Sequence, residues 1–152
     1  MRLIQFLIPI ALFLVGNITW SQTIEYKTIT VVESIIPNGL GRSRMISSEE
    51  PRDYKEFTSS RTAEDDERNK SDRGEIRLKN FDETKLLNFF NLGGIRFQNI
   101  AANDAVVTSK LNDLAIQGWE LAFVNSGVES FSGESDSNGI FITRYIFKRL
   151  KN

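Results

Sequence analysis

The sequence predicts an α+β fold: a small antiparallel sheet of about four strands, with one main helix packed across one face and a second short helix. Three observations predict it. β-Branched and aromatic runs stand near both ends of the chain, at Ile24 to Ile36 and Ile140 to Lys148. One segment, 103 to 117, carries apolar residues at helical spacing and stops at a glycine. No alternating strand–helix–strand rhythm or internal repeat is present, which argues against a parallel sheet.

Residues Met1 to Ser21 have the order of a secretory signal peptide. Arg2 supplies a positive start, Leu3 to Val15 an apolar run, and Thr19 and Ser21 small side chains before a cut at Gln22. The run is about 13 residues, short of the roughly 20 that a spanning helix needs. The expectation is a single domain over 22–152, exported to the periplasm or the exterior, soluble, and not membrane-spanning after cleavage.

Ile24 to Ile36 is expected to be a strand. Pro37-Asn38-Gly39 supplies turn chemistry, and Leu40 to Ile46 returns as a second strand, making a hairpin. Between Ser47 and Glu75 only Tyr54, Phe57 and Ala63 are apolar, so 47–75 is expected to be a polar loop with little or no order of its own. Asp82 can cap a short helix burying Leu86, Leu87, Phe89 and Phe90, with Gly93-Gly94 ending it. Residues 95–100 fit either an extended or a helical piece.

Asn103 or Asp104 is placed to cap the main helix, whose buried stripe is Val107, Leu111, Leu114 and Ala115. Gly118 is the expected left-handed terminator. Trp119 to Val124 follows as a strand, with Trp119, Leu121 and Phe123 to one side. The segment 127–139 is a polar connection, and Ile140 to Lys148 closes the sheet with Phe141, Tyr145 and Phe147 on one face.

Composition narrows the chemistry. The chain has no Cys and no His, which removes disulfides, thiolate and imidazole catalysis, imidazole-bound metals and a lipoprotein anchor. The net charge of −1 becomes about −2 once Arg2 leaves with the leader. A balanced surface of this kind has no electrostatic footprint for nucleic acid.

Three stretches resemble the small bacterial family called domain of unknown function 4177. They are Ile24-Glu25-Tyr26-Lys27-Thr28, the junction from Leu111 to Gly118-Trp119-Glu120-Leu121, and the closing Ile142 to Arg149. The resemblance implies a small antiparallel sheet with one helix across it. It implies no activity, and this chain adds a leader and an insertion between Ile46 and Ile100. Read from the residues alone, Gly118 turns the chain out of the helix and Trp119 caps the helix–sheet core.

The remaining candidates are weak sites. Glu134 to Gly139 spaces oxygen ligands as a calcium loop begins, but Tyr145 stands where the closing Glu is needed, so turn chemistry is the better reading. Glu64 to Glu67 is interleaved with Arg61, Arg68, Lys70 and Arg73, the pattern of a solvated loop. No serine stands in a hydrolase motif. Arg42 and Arg44, two apart on one strand, share a face that could grip a carboxylate or phosphate. The functional expectation is therefore a non-catalytic exported domain with no cofactor and no metal, binding a protein or an envelope component through the 47–75 loop or the open sheet face. The alternative is a small-molecule or ion binder using Arg42/Arg44 or the 129–139 hairpin.

Overall fold

A computed structural model describes residues 23–34, 43–91, 93–129 and 140–151. The leader, the Pro37-Asn38-Gly39 turn, Arg42 and most of the 129–139 hairpin lie outside them. Within them the chain is α+β. Strands β1 (Ile24–Ser34) and β2 (Arg44–Ser48) come first, then a 3-10 turn at Tyr54–Phe57 and a short helix α1 (Arg73–Ile76). Strands β3 (Phe81–Lys85), β4 (Phe90–Asn91) and β5 (Gly94–Ile95) lead to the main helix α2 (Phe97–Ile116). Strands β6 (Glu120–Glu129) and β7 (Ile140–Leu150) close the fold.

Five strands form one antiparallel sheet in the order β3-β2-β1-β7-β6, and β4 and β5 form a separate two-stranded ribbon. The longest pairing joins the two ends of the domain, from Ile24 opposite Leu150 to Ser34 opposite Ile140. β-Branched and aromatic residues make up most of both strands, which suits a pleated, closely packed centre.

Helix α2 lies on one face of this sheet. Its inward stripe is Asn103, Val107, Leu111 and Leu114; Ala115, expected in that stripe, is exposed. Val107 and Leu114 meet Ile29 and Val31 of β1, Met45 of β2, Phe147 of β7, Leu86 and Trp119. All eight are buried, and Leu114 is fully so. No helix among the described residues is long and apolar enough to cross a membrane.

Four local expectations are corrected. Residues 82–90 are not helical: Phe81–Lys85 is an edge strand paired to β2, with Met45 opposite Thr84 and Ser47 opposite Asp82. The short helix is α1, started by a capping box in which Asp72 and Glu75 satisfy each other's backbone N–H groups. Helix α2 begins at Phe97, six residues before the expected cap, so Asn103 is an interior helical residue. Residues 95–100 therefore divide, Ile95 to β5 and 97–100 to the first turn of α2. Finally, the β6–β7 register shifts between Leu121 and Phe123. The bulge at Ala122 turns Phe123 to the face opposite Leu121.

The polar stretch is held by its own side chains. Asp53 accepts from the Lys55 N–H, Thr62 Oγ1 from the N–H groups of Glu64 and Asp65, and Asn69 Nδ2 donates to the Glu56 carbonyl. Such local bonds order a chain that has almost nothing apolar to bury.

Candidate functional site

The helix-to-strand junction is a structural clasp. Gly118 has φ +82°, the left-handed conformation. Its N–H donates to the Ala115 carbonyl and that of Trp119 to the Leu114 carbonyl, each at 3.0 Å. This 6→1 and 5→2 pair is a Schellman cap, and Trp119 supplies the apolar contact back onto Leu114. The Arg149 guanidinium stacks 4.2 Å from the Trp119 ring, donates to Glu25 at 2.5 Å and to the Gln117 carbonyl at 3.2 Å. Glu25, Gln117, Trp119 and Arg149 thus meet at one end of the sheet.

A cleft of about 480 Å³ opens beside the clasp between Ile24, Gln117, Glu120, Lys148, Arg149 and Leu150. Its charges are matched within it, since Lys148 stands 3.9 Å from Glu120 and Arg149 is bound to Glu25. A cleft with its charge already satisfied offers little to an ionic ligand. Replacing Gly118 with alanine meets no atom within 4 Å of the added Cβ, so only the left-handed backbone is penalised. The expected loss is about 1–2 kcal/mol in chemical denaturation.

Arg44 is similarly occupied. Its Nε donates to Glu83 at 2.5 Å and its Nη1 to the Ser43 carbonyl at 2.7 Å. It lies on the face away from α2, as its register opposite Lys85 and Val32 requires. Arg42, its expected companion, is outside the described residues.

A polar clamp that sequence reasoning missed fixes the segment 86–88. The buried Asn103 amide accepts from the Leu87 N–H at 2.8 Å, and donates to the Leu87 carbonyl at 2.8 Å and to Glu33 at 3.0 Å. Next to it, Asn88 Oδ1 accepts from the Ser43 N–H and hydroxyl, and the Asn99 amide donates to the Asn88 carbonyl. A polar residue heading an otherwise apolar helical stripe is the one signal that could have revealed it.

Two ionisable groups are shifted. Glu49 is held below its ordinary value, chiefly by its bond to Lys27. Tyr145, half-buried on the α2 side of β7, is raised by burial first and then by the carboxylates Glu33 and Asp104. Between the tyrosine value of the unfolded chain and the higher folded one, the folded state keeps a proton that the unfolded state has lost. Stability therefore falls as pH rises through that window. Tyr145→Phe should flatten the alkaline limb above about pH 10 in pH-dependent urea denaturation.

The feature left without a structural role is the second face of the sheet. On the α2 face Ile29, Val31, Met45 and Phe147 belong to the core, while Leu121, Val124, Val128 and Phe141 toward the β6 edge are exposed. On the other face lie Tyr26, Val32, Ile46, Ile142, Ile146 and Phe123; Val32 stands opposite Ile142 and Phe123 opposite Ile146, with Thr30 and Arg144 between the two pairs. Tyr26 is 63% and Phe123 66% exposed, while the other four are half-buried. Ile24 and Leu150 extend the patch at one end, each about half exposed. A sheet covered on one side usually turns polar residues to water on the other; this one mixes Thr28, Thr30, Ser48 and Asn125 with its apolar residues.

Charge is interleaved with these apolar residues, Arg144 standing between Ile142 and Ile146 and Lys148 opposite Tyr26. Arg44 is paired with Glu83 on the β2–β3 side, and Lys148 with Glu120 on the β6–β7 side. Arg144, beside Asn125 of the edge strand, has no ion-pair partner among the described residues. Among those residues no group of three or more His, Cys, Asp or Glu could hold a metal ion. No family model, curated protein or solved structure matches the chain.

Proposed function

We propose that residues 22–152 form an exported, non-catalytic domain that binds a protein or another component of the cell envelope through the open face of its sheet. The observation that carries this reading is the set of exposed and half-buried apolar residues that β1, β2, β7 and β6 turn away from α2, among them Tyr26, Val32, Ile142, Ile146 and Phe123. Exposed apolar side chains clustered on one face, beyond scattered single residues, mark interaction sites. Export rests on the order of charge, apolar run and small residues over Met1 to Ser21. The likeness to domain of unknown function 4177 supports the architecture and supplies no activity. The rival use of Arg44 as an anion grip is disfavoured by its engagement with Glu83.

A pull-down from the native envelope, run with the wild-type protein and with a Tyr26→Lys/Phe123→Lys variant, tests the reading. Both side chains are exposed, so the variant should fold. A stoichiometric partner held by the wild type and lost by the variant is the expected result. A partner held equally by both would place binding elsewhere.

A further inference from the structure

We infer that a second copy of this chain pairs, antiparallel and strand to strand, with the free edge of β6, joining two five-stranded sheets into one. This contact is separate from the open face and leaves it free. Among the described residues β6 has a neighbouring strand on one side only, β7. An unpaired edge is a template for another strand unless charge, proline or a bulge blunts it. The opposite edge strand, β3, is blunted by Asp82, Glu83 and Lys85. In β6 no charged residue and no proline stands between Glu120 and Glu129, and its bulge lies near the start, between Leu121 and Phe123. Beyond the bulge, residues 123–129 pair regularly with β7. Their outer side therefore presents the alternating N–H and C=O groups that an antiparallel strand needs.

What selects a second copy is the fit of this strand to itself. Residues opposite each other across an antiparallel pair share a face, so β6 meets its own copy about one central residue, on a two-fold axis normal to the sheet. The bulge on one side and the strand end on the other make Ser126 the middle of the regular segment. Centred there, every residue from 123 to 129 has a residue opposite. Val124 meets Val128 of the second copy, and Val128 meets its Val124; Asn125 meets Gly127, and Ser126 meets Ser126. Val124 and Val128 are 52% and 56% exposed in the single chain, and directly opposed apolar pairs stabilise a sheet. Phe123, 66% exposed, lies diagonally across from Gly127 of the second copy, where a Cβ would meet nothing within 4 Å. An aromatic beside an edge glycine covers its bare backbone. Glu129 falls opposite Phe123, so the two acidic ends of β6 are not brought together. The paired strips are roughly 23 Å long and share roughly six to eight backbone hydrogen bonds. An interface this narrow is of the weak, concentration-dependent class. Both α2 helices lie on one side of the joined sheet, and the two open faces lie next to each other on the other.

The chain has no cysteine, so a single engineered thiol can form a disulfide only with that of another copy. Opposite Cα atoms in an antiparallel pair are about 4.5–5.5 Å apart, within the span of a disulfide. Mild oxidation of Ser126→Cys, purified after expression of the complete chain, is expected to give a covalent dimer on a non-reducing gel. Val124→Cys alone should not, because its two copies stand about 13 Å apart along the strands. Val124→Cys combined with Val128→Cys should cross-link as fully as Ser126→Cys. That double variant keeps the test decisive if Ser126→Cys, which loses the hydroxyl contact with Thr143, fails to fold. Val124→Glu with Val128→Glu sets carboxylates opposite each other and should raise the dimer dissociation constant about tenfold in sedimentation velocity. Cross-linking of Val124→Cys equal to that of Ser126→Cys would overturn the register. No cross-linking from either Ser126→Cys or the double cysteine variant would overturn the pairing.

Discussion

Trp119→Ala should destabilise the domain by about 3–5 kcal/mol, the largest single effect expected in this fold. The ring is 8% exposed and packs in the core with Leu114 and Phe147. Its removal opens a cavity where helix, sheet and chain reversal meet, and it strips the Arg149 guanidinium of the surface it stacks on. Arg149 would keep Glu25 and the Gln117 carbonyl, so the clasp should loosen without dissolving. In a domain of this size the loss corresponds to a fall in melting temperature of roughly 10–20 °C. Trp119→Phe retains most of the apolar volume and should cost less than half as much. A Trp119→Ala variant that melts with the wild type would show that the junction is not part of the core.

The second large effect is expected at Asn103. Alanine there removes one acceptor and two donor contacts and leaves the Leu87 N–H, the Leu87 carbonyl and the Glu33 carboxylate without their partner. The cost of leaving buried polar groups unpaired puts the loss at about 2–4 kcal/mol. Asn103→Asp separates this from a loss of packing volume. Aspartate keeps the shape and can still accept from Leu87, but once ionised it cannot donate to the Leu87 carbonyl and it faces Glu33. Its folded-state value is pushed up by burial and by Glu33, so the destabilisation should be smaller near pH 4 than at pH 7. Equal urea midpoint shifts at the two pH values would contradict the clamp.

These residues differ in how much of their role was visible in the sequence. Gly118 and Trp119 were legible because a helix terminator and the aromatic after it act through neighbours one turn away. The strand at 81–85 was not. Asp82, Glu83, Thr84 and Lys85 carry no strand preference as a group, and what makes them a strand is the edge of β2, distant in sequence in every pair from Ser48–Phe81 to Arg44–Lys85. Helix α2 starts without a side-chain cap, so nothing local announces Phe97. The bulge at Ala122 has no local signal either, which is why Phe123 was placed with Trp119 and Leu121. The open face was partly legible. β1 and β7 carry apolar side chains on both faces, Ile29 and Val31 on one and Val32 and Ile142 on the other, whereas only one cover, α2, could be identified.

The claim that the open sheet face is a binding surface is tested most directly by site-specific photo-crosslinking in the native cell envelope. A photoreactive side chain would replace Phe123 on that face or Thr108 on the exposed side of α2. The account predicts a discrete adduct from position 123, abolished by Tyr26→Lys in the same chain, and none from position 108. Adducts of equal yield from both positions, or an adduct from 108 alone, would contradict it.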